Sequence, residues 1–74
     1  MIRLYTKNNC ASCIFTKRKL QELGVNYQEI NVDEDLSALG YLMECGFRSL
    51  PVVFKDDKPM VTGGFAPNIL EKLV

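Results

Sequence analysis

Histidine is absent from the 74 residues, so a single chain can assemble neither a Cys–His nucleophile pair nor a His-containing zinc site. Tryptophan is absent too, and no one sign of charge dominates. Nine Lys and Arg balance nine Asp and Glu, which removes the electrostatic footprint of a nucleic-acid or acidic-membrane binder. A partner has to be recognised by shape and local chemistry. No apolar run is long enough to span a bilayer, and the start, Met1-Ile2-Arg3-Leu4-Tyr5-Thr6, lacks the basic-then-apolar order of a secretory signal. A cytoplasmic location is therefore expected. The length suits one domain, residues 1–74, in which a single core buries only about 60% of the unfolded surface.

Cysteines are few and odd in number, three in all, whereas secreted disulfide scaffolds usually carry four, six or eight that staple distant segments. Two of the three form Cys10-Ala11-Ser12-Cys13. A bridge between Cys10 and Cys13 closes a tiny loop and constrains the unfolded chain little, so its value is chemical. The pair lies between an apolar strand-like run, Ile2 to Thr6, and a helix-like run, Ala11 to Leu23. A helix start leaves backbone N–H groups unpaired and carries partial positive charge, which stabilises a thiolate over a thiol.

Within that helix Cys13, Thr16, Leu20 and Leu23 follow one stripe, so Cys13 shares a face with core leucines. Cys10 lies at the first turn, where solvent is expected to reach it. Cys10 is thus assigned as the attacking nucleophile and Cys13 as the resolving thiol. Lys7 adds positive charge beside the pair. A closed metal site needs four ligands and only Cys45 is left over, so no metal is expected and Cys45 is taken as a bystander. Ala11, Ile14 and Phe15 occupy the other flank, where they either pack beneath a neighbouring loop, the favoured expectation, or form an exposed apolar rim that docks a protein partner.

Downstream, Tyr27 to Val32 has the period of a half-buried strand, and a strand, helix and strand at these distances form a parallel, right-handed βαβ unit. A second helix is expected from about Asp35 to Cys45, with Leu36, Leu39 and Met43 as its apolar stripe and Gly46 beyond its end. Leu50 to Phe54, a turn at Lys55-Asp56-Asp57-Lys58 and a short strand from Met60 to Thr62 make an antiparallel hairpin. After Gly63-Gly64, a closing helix is expected over Ala66 to Val74 with Pro67 in its first turn. The order β-α-β-α-β-β-α implies an α/β fold, one mixed four-stranded sheet flanked by three helices. Strand order cannot be read from the pattern.

Three segments, Thr6-Lys7-Asn8-Asn9-Cys10-Ala11-Ser12-Cys13, Ser49-Leu50-Pro51-Val52-Val53 and Gly63-Gly64-Phe65-Ala66-Pro67, together resemble the glutaredoxin family over essentially the whole chain. The resemblance implies a thioredoxin-like fold and thiol-disulfide oxidoreductase activity. It also implies a cis Pro51 facing the dithiol, with the backbone of Leu50 free to take an extended substrate segment as an added strand. Lys7, Gly63, Gly64 and Phe65 would frame that groove.

Glutathione-dependent members of the family typically have Pro-Tyr between the cysteines and a Ser-Asp or Asp-Asp pair after the double glycine. This chain has Ala11-Ser12 and Phe65-Ala66-Pro67, closer to the Gly-Phe-Arg-Pro of small redoxins that supply electrons to ribonucleotide reductase and are reduced by thioredoxin reductase. Ala66 replaces the usual arginine, Thr62-Gly63 stand where Trp-Ser is common, and Gly63-Gly64 keep a glutathione-type feature. The resemblance therefore implies a monomeric electron donor to ribonucleotide reductase with no tightly bound cofactor. Glutathione stays open as a co-substrate, and an iron-sulfur carrier is disfavoured because Cys13 can close a disulfide with Cys10.

Overall fold

The computed structural model describes residues 1–74 and contains the expected succession of elements. These are β1 (Ile2–Thr6), α1 (Ala11–Glu22), β2 (Tyr27–Asn31), α2 (Leu36–Glu44), β3 (Val52–Lys55), β4 (Lys58–Thr62) and α3 (Pro67–Glu71). They form one four-stranded sheet in the order β2-β1-β3-β4. β1 pairs parallel to β2 and antiparallel to β3, and β3 runs antiparallel to β4. The crossover helix α1 follows from the parallel pair, because two parallel neighbours cannot be joined by a tight turn.

β1 lies inside the sheet, and its alternation divides the core in two. Ile2 and Leu4 point to one face, where Leu20 of α1, Val53, Val61, and Leu70 and Leu73 from the C-terminal segment close a buried cluster. Tyr5 points to the other, with Val32, Leu42 of α2, Val52 and Phe54. Burial of each such large apolar side chain contributes about 1.5–3 kcal/mol. On the second face the Arg3 guanidinium lies 5.0 Å from the centre of the Phe54 ring, and Tyr5, Tyr41, Phe47 and Phe54 form a chain of tilted and edge-on contacts. Tyr41, from α2, joins this layer to the helix.

The stripe expected on α2 is corrected by the structure. Leu36 and Met43 are 74% and 65% exposed, whereas Leu42 is 2% exposed, and the buried row is Leu42 with the partly buried Ala38 and Leu39. The start of the helix sets this rotation. Asp35 is its N-cap, accepting from the Ala38 N–H at 3.1 Å and the Ser37 hydroxyl at 2.7 Å. These two donors, Ser37 first, hold the Asp35 carboxyl below the usual carboxylate range. With the cap fixed there, Ala38 and Leu42, one turn apart, face the aromatic layer, and Leu36 is carried away from it.

Several boundaries also differ, β3 among them: it runs from Val52 to Lys55 and not from Leu50 to Phe54. α3 stops at Glu71 and not at Val74; its N-cap, Ala66, has no side-chain acceptor, yet Leu70 and Leu73 are buried beneath it. The hairpin turn is tighter than expected, since β4 already begins at Lys58 and Asp56 takes a positive φ of 57°. No helix is long and apolar enough to cross a membrane.

Replacing Leu42 by Ala should lower the free energy of unfolding by about 2–5 kcal/mol, whereas Leu36→Ala should change it by no more than about 0.5 kcal/mol. Urea denaturation checks both, and equal losses would reinstate the Leu36-Leu39-Met43 face.

Candidate functional site

Cys10 is the N-cap residue of α1. Its backbone is extended (φ −116°, ψ 102°), and its sulfur accepts a hydrogen bond from the Cys13 N–H at 3.2 Å. A sulfur here takes the place usually filled by a Ser or Asp oxygen and satisfies one of the unpaired N–H groups of the helix start. No acidic residue lies in the first turn of α1 to offset the positive end of the helix, so negative charge on Cys10 is stabilised. Cys10 and Cys13 are joined as a disulfide, with Cα atoms 5.2 Å apart. The structure thus brings together the two sulfurs that the sequence pattern pairs.

The expected contrast in exposure is smaller than anticipated. Cys10 is 7% and Cys13 2% exposed, so Cys10 is only the more accessible of two buried residues. The cover comes from the segment before β3. Leu50-Pro51 is a cis peptide, and the Leu50 carbonyl oxygen lies 3.9 Å from the Cys10 sulfur and 3.5 Å from the Ser12 hydroxyl. The Ser12 hydroxyl is also 3.5 Å from the Cys10 sulfur. Thr16, fully buried beneath, is satisfied by donating to the Ser12 carbonyl at 2.7 Å.

Several supporting residues carry no signal in the sequence pattern. The loop leading to Cys10 is tied to the β2–α2 turn: the Asn8 N–H donates to Asp33 at 2.8 Å and the Asn31 amide donates to the Asn8 side-chain oxygen at 3.0 Å. Asn31 in turn accepts from the Asp33 N–H at 2.8 Å. Asn9 takes a left-handed φ of 55°, a conformation Asn tolerates better than most residues. These partners are far apart in sequence and polar, so neither periodicity nor a motif could connect them. Ser12 was discoverable, since a hydroxyl in the first helical turn, two residues after Cys10, is within reach of its sulfur.

Gly63 is placed at the groove by close packing. Its φ is +140°, and a Cβ there would lie 2.8 Å from the Ser49 Cβ, next to Leu50. Gly64, at φ +75°, has open space around it. Phe65 is 43% exposed and its ring centre is 5.9 Å from that of Phe15, itself 48% exposed. With Ile14 also exposed, the flank of α1 expected to pack is instead an open apolar rim. The reason is local: Phe15 leans on the loop that holds Phe65, which covers only part of each ring. Lys7 is exposed in the loop before Cys10, with no hydrogen bond or ion pair tying it to the dithiol. Cys45 is exposed at the end of α2, where its thiol beside Tyr41 raises the phenol above its ordinary value. It lies apart from the cluster.

A family model described as Glutaredoxin matches residues 2–60. The chain is 41% identical over 73 residues, 99% of each sequence, to the glutaredoxin-like protein NrdH of Lactococcus lactis subsp. cremoris. Its fold superimposes with a TM-score of 0.90, at 38% identity, on the NrdH-redoxin of Escherichia coli, a glutaredoxin-like protein with a thioredoxin-like activity profile, covering 99% of this chain and 93% of that one. A thioredoxin-like protein, BC3987, matches with a TM-score of 0.88 at 29% identity over the full length of both chains.

Gly63→Ala should destabilise the protein by about 1–3 kcal/mol and slow reduction of insulin disulfides more than Gly64→Ala does, because only the first pushes on Ser49. Equal effects of the two substitutions on turnover would show that the Ser49 contact does not set the position of Leu50.

Proposed function

This chain belongs to the glutaredoxin family and is a thiol-disulfide oxidoreductase; from that premise we propose that it carries electrons from thioredoxin reductase to ribonucleotide reductase in the cytoplasm. The Cys10 thiolate attacks a disulfide of the target to form a mixed disulfide. Cys13 then attacks the Cys10 sulfur, releasing the reduced target and leaving the protein oxidised. Two electrons pass to the target, and thioredoxin reductase restores the dithiol. In this reading Leu50 and Pro51 shape the groove for an extended target segment, which Leu50 takes as an added strand. Lys7, Gly63, Gly64 and Phe65 frame it.

One observation carries the choice of reductant. Where glutathione-dependent members place a carboxylate after the double glycine to hold glutathione's charged ends, α3 is capped by Ala66, which offers no side-chain hydrogen bond. The neighbouring Phe65 presents an exposed ring instead. An apolar rim with no carboxylate suits a protein surface better than a charged tripeptide. The thioredoxin-like activity profile of the similar Escherichia coli protein supports the same choice, as does the likeness of Gly64-Phe65-Ala66-Pro67 to the ribonucleotide reductase redoxins.

Offered NADPH with thioredoxin reductase, or glutathione with glutathione reductase and NADPH, the oxidised protein should be reduced rapidly only by the first system. Rapid reduction by glutathione alone would overturn the assignment. Cys13→Ser should trap a covalent adduct with a ribonucleotide reductase subunit bearing an oxidised dithiol, resolved on a non-reducing gel, whereas Cys10→Ser should give none. Equal absence of adduct in both would refute the division of roles.

A further inference from the structure

The Ser12 hydroxyl stands 3.5 Å from the Cys10 sulfur and 3.5 Å from the Leu50 carbonyl oxygen. A serine hydroxyl has one proton to donate, so it can serve only one of these acceptors at a time. The redox state decides which. A sulfur held in a disulfide is neutral and a weak acceptor, so the carbonyl oxygen takes the proton. A thiolate is charged, and a hydrogen bond to a charged acceptor is roughly twice as strong as a neutral one. Because both acceptors lie at 3.5 Å in the disulfide form, rotation of the hydroxyl proton is enough to exchange one for the other. The Ser12 backbone is itself pinned by Thr16, whose hydroxyl donates to the Ser12 carbonyl at 2.7 Å.

We propose that Ser12 is a redox-linked positioning residue: its hydroxyl donates to the Leu50 carbonyl in the oxidised protein and turns to the Cys10 thiolate on reduction, freeing that carbonyl for an N–H of a disulfide-bearing strand. This rests on the reading of Leu50 as the strand-pairing edge of the substrate groove. An incoming dithiol breaks the Cys10–Cys13 bond by two successive exchanges, gives up two electrons and leaves as a disulfide. Its two protons pass to the two cysteines, and Cys10 then loses its proton to solvent. The thiolate so formed draws the Ser12 proton away from Leu50. The acceptor is open in the state that has to bind an oxidised target and closed in the state that has to release a reduced one.

Two measurements on Ser12→Ala and Ser12→Thr test this. In the wild type the carbonyl carbon resonance of Leu50 should shift when dithiothreitol reduces the protein; Ser12→Ala should lose most of that shift and Ser12→Thr should restore it. Alkylation of Cys10 by iodoacetamide below neutral pH, followed in a Cys13→Ser background, should slow about three- to tenfold in Ser12→Ala, because losing a hydrogen bond to the charged sulfur lowers the thiolate fraction while the more basic thiolate is more nucleophilic and offsets part of that loss. Its pH profile should move to the alkaline side, and the threonine variant should recover both. An unchanged Leu50 resonance shift, or an unchanged alkylation profile, in Ser12→Ala would overturn the proposal. Binding of a cysteine-free extended peptide to the reduced wild type, followed at the Leu50 and Val52 resonances, reports on the groove separately. Its failure would sink the strand-pairing reading, and this proposal with it, while leaving any Ser12 effect on alkylation visible.

Discussion

A single hydrogen bond, from the Cys13 N–H to the Cys10 sulfur at 3.2 Å, organises the chemistry of this molecule. It makes the sulfur the cap of α1, so the reactive atom is held by the same interaction that starts the helix. Negative charge on that sulfur is favoured by the unpaired N–H groups and by the lack of any acidic side chain in the first turn. The cap in turn depends on where α1 begins. That is fixed from behind by Leu20 in the core between β1 and α3 and from in front by the Asn8-Asn31-Asp33 network. Packing on one side and polar ties on the other thus converge on one sulfur.

The second part of the site comes from a different region of the chain. Leu50 and Pro51 reach the dithiol because β3 lies beside β1 in the sheet, which sets the start of β3 next to the loop that follows β1. Val52, paired with Tyr5, is the register point that brings this about. Gly63 continues the arrangement from β4, where Thr62 pairs with Val52, and its missing side chain lets Ser49 sit close. Three segments distant in sequence meet at one end of the sheet because the strand order is β2-β1-β3-β4.

Periodicity made β1, α1 and β2 legible, the Cys-x-x-Cys spacing at a helix start singled out Cys10 and Cys13, and the resemblance pointed to Pro51. Strand order was not legible, since every β3 residue from Val52 to Phe54 is buried and a uniformly apolar run does not identify its neighbours. The face of α2 was misread for a related reason. Leu39 packs inward as expected, but Ala38 and Leu42 have helical spacing as well as Leu36 and Met43, and the choice between those flanks is made by the Asp35 cap and the aromatic layer that α2 faces. The apolar flank of α1 was misjudged because exposure of Phe15 depends on how much cover one short loop provides. Ser49 and the Asn-Asp ties act through contacts between segments, which local pattern cannot encode.

The open Phe15–Phe65 pair has a colloidal consequence. A protein whose formal charges cancel, with a calculated pI near 6.2, has little self-repulsion to keep apolar patches of neighbouring molecules apart. Mildly acidic buffers are therefore where such rings meet most readily, and added sulfate strengthens that attraction further. Retention on a hydrophobic column and reduced solubility near pH 6 are the expected consequences of the same few carbon atoms that give the redox centre its apolar border.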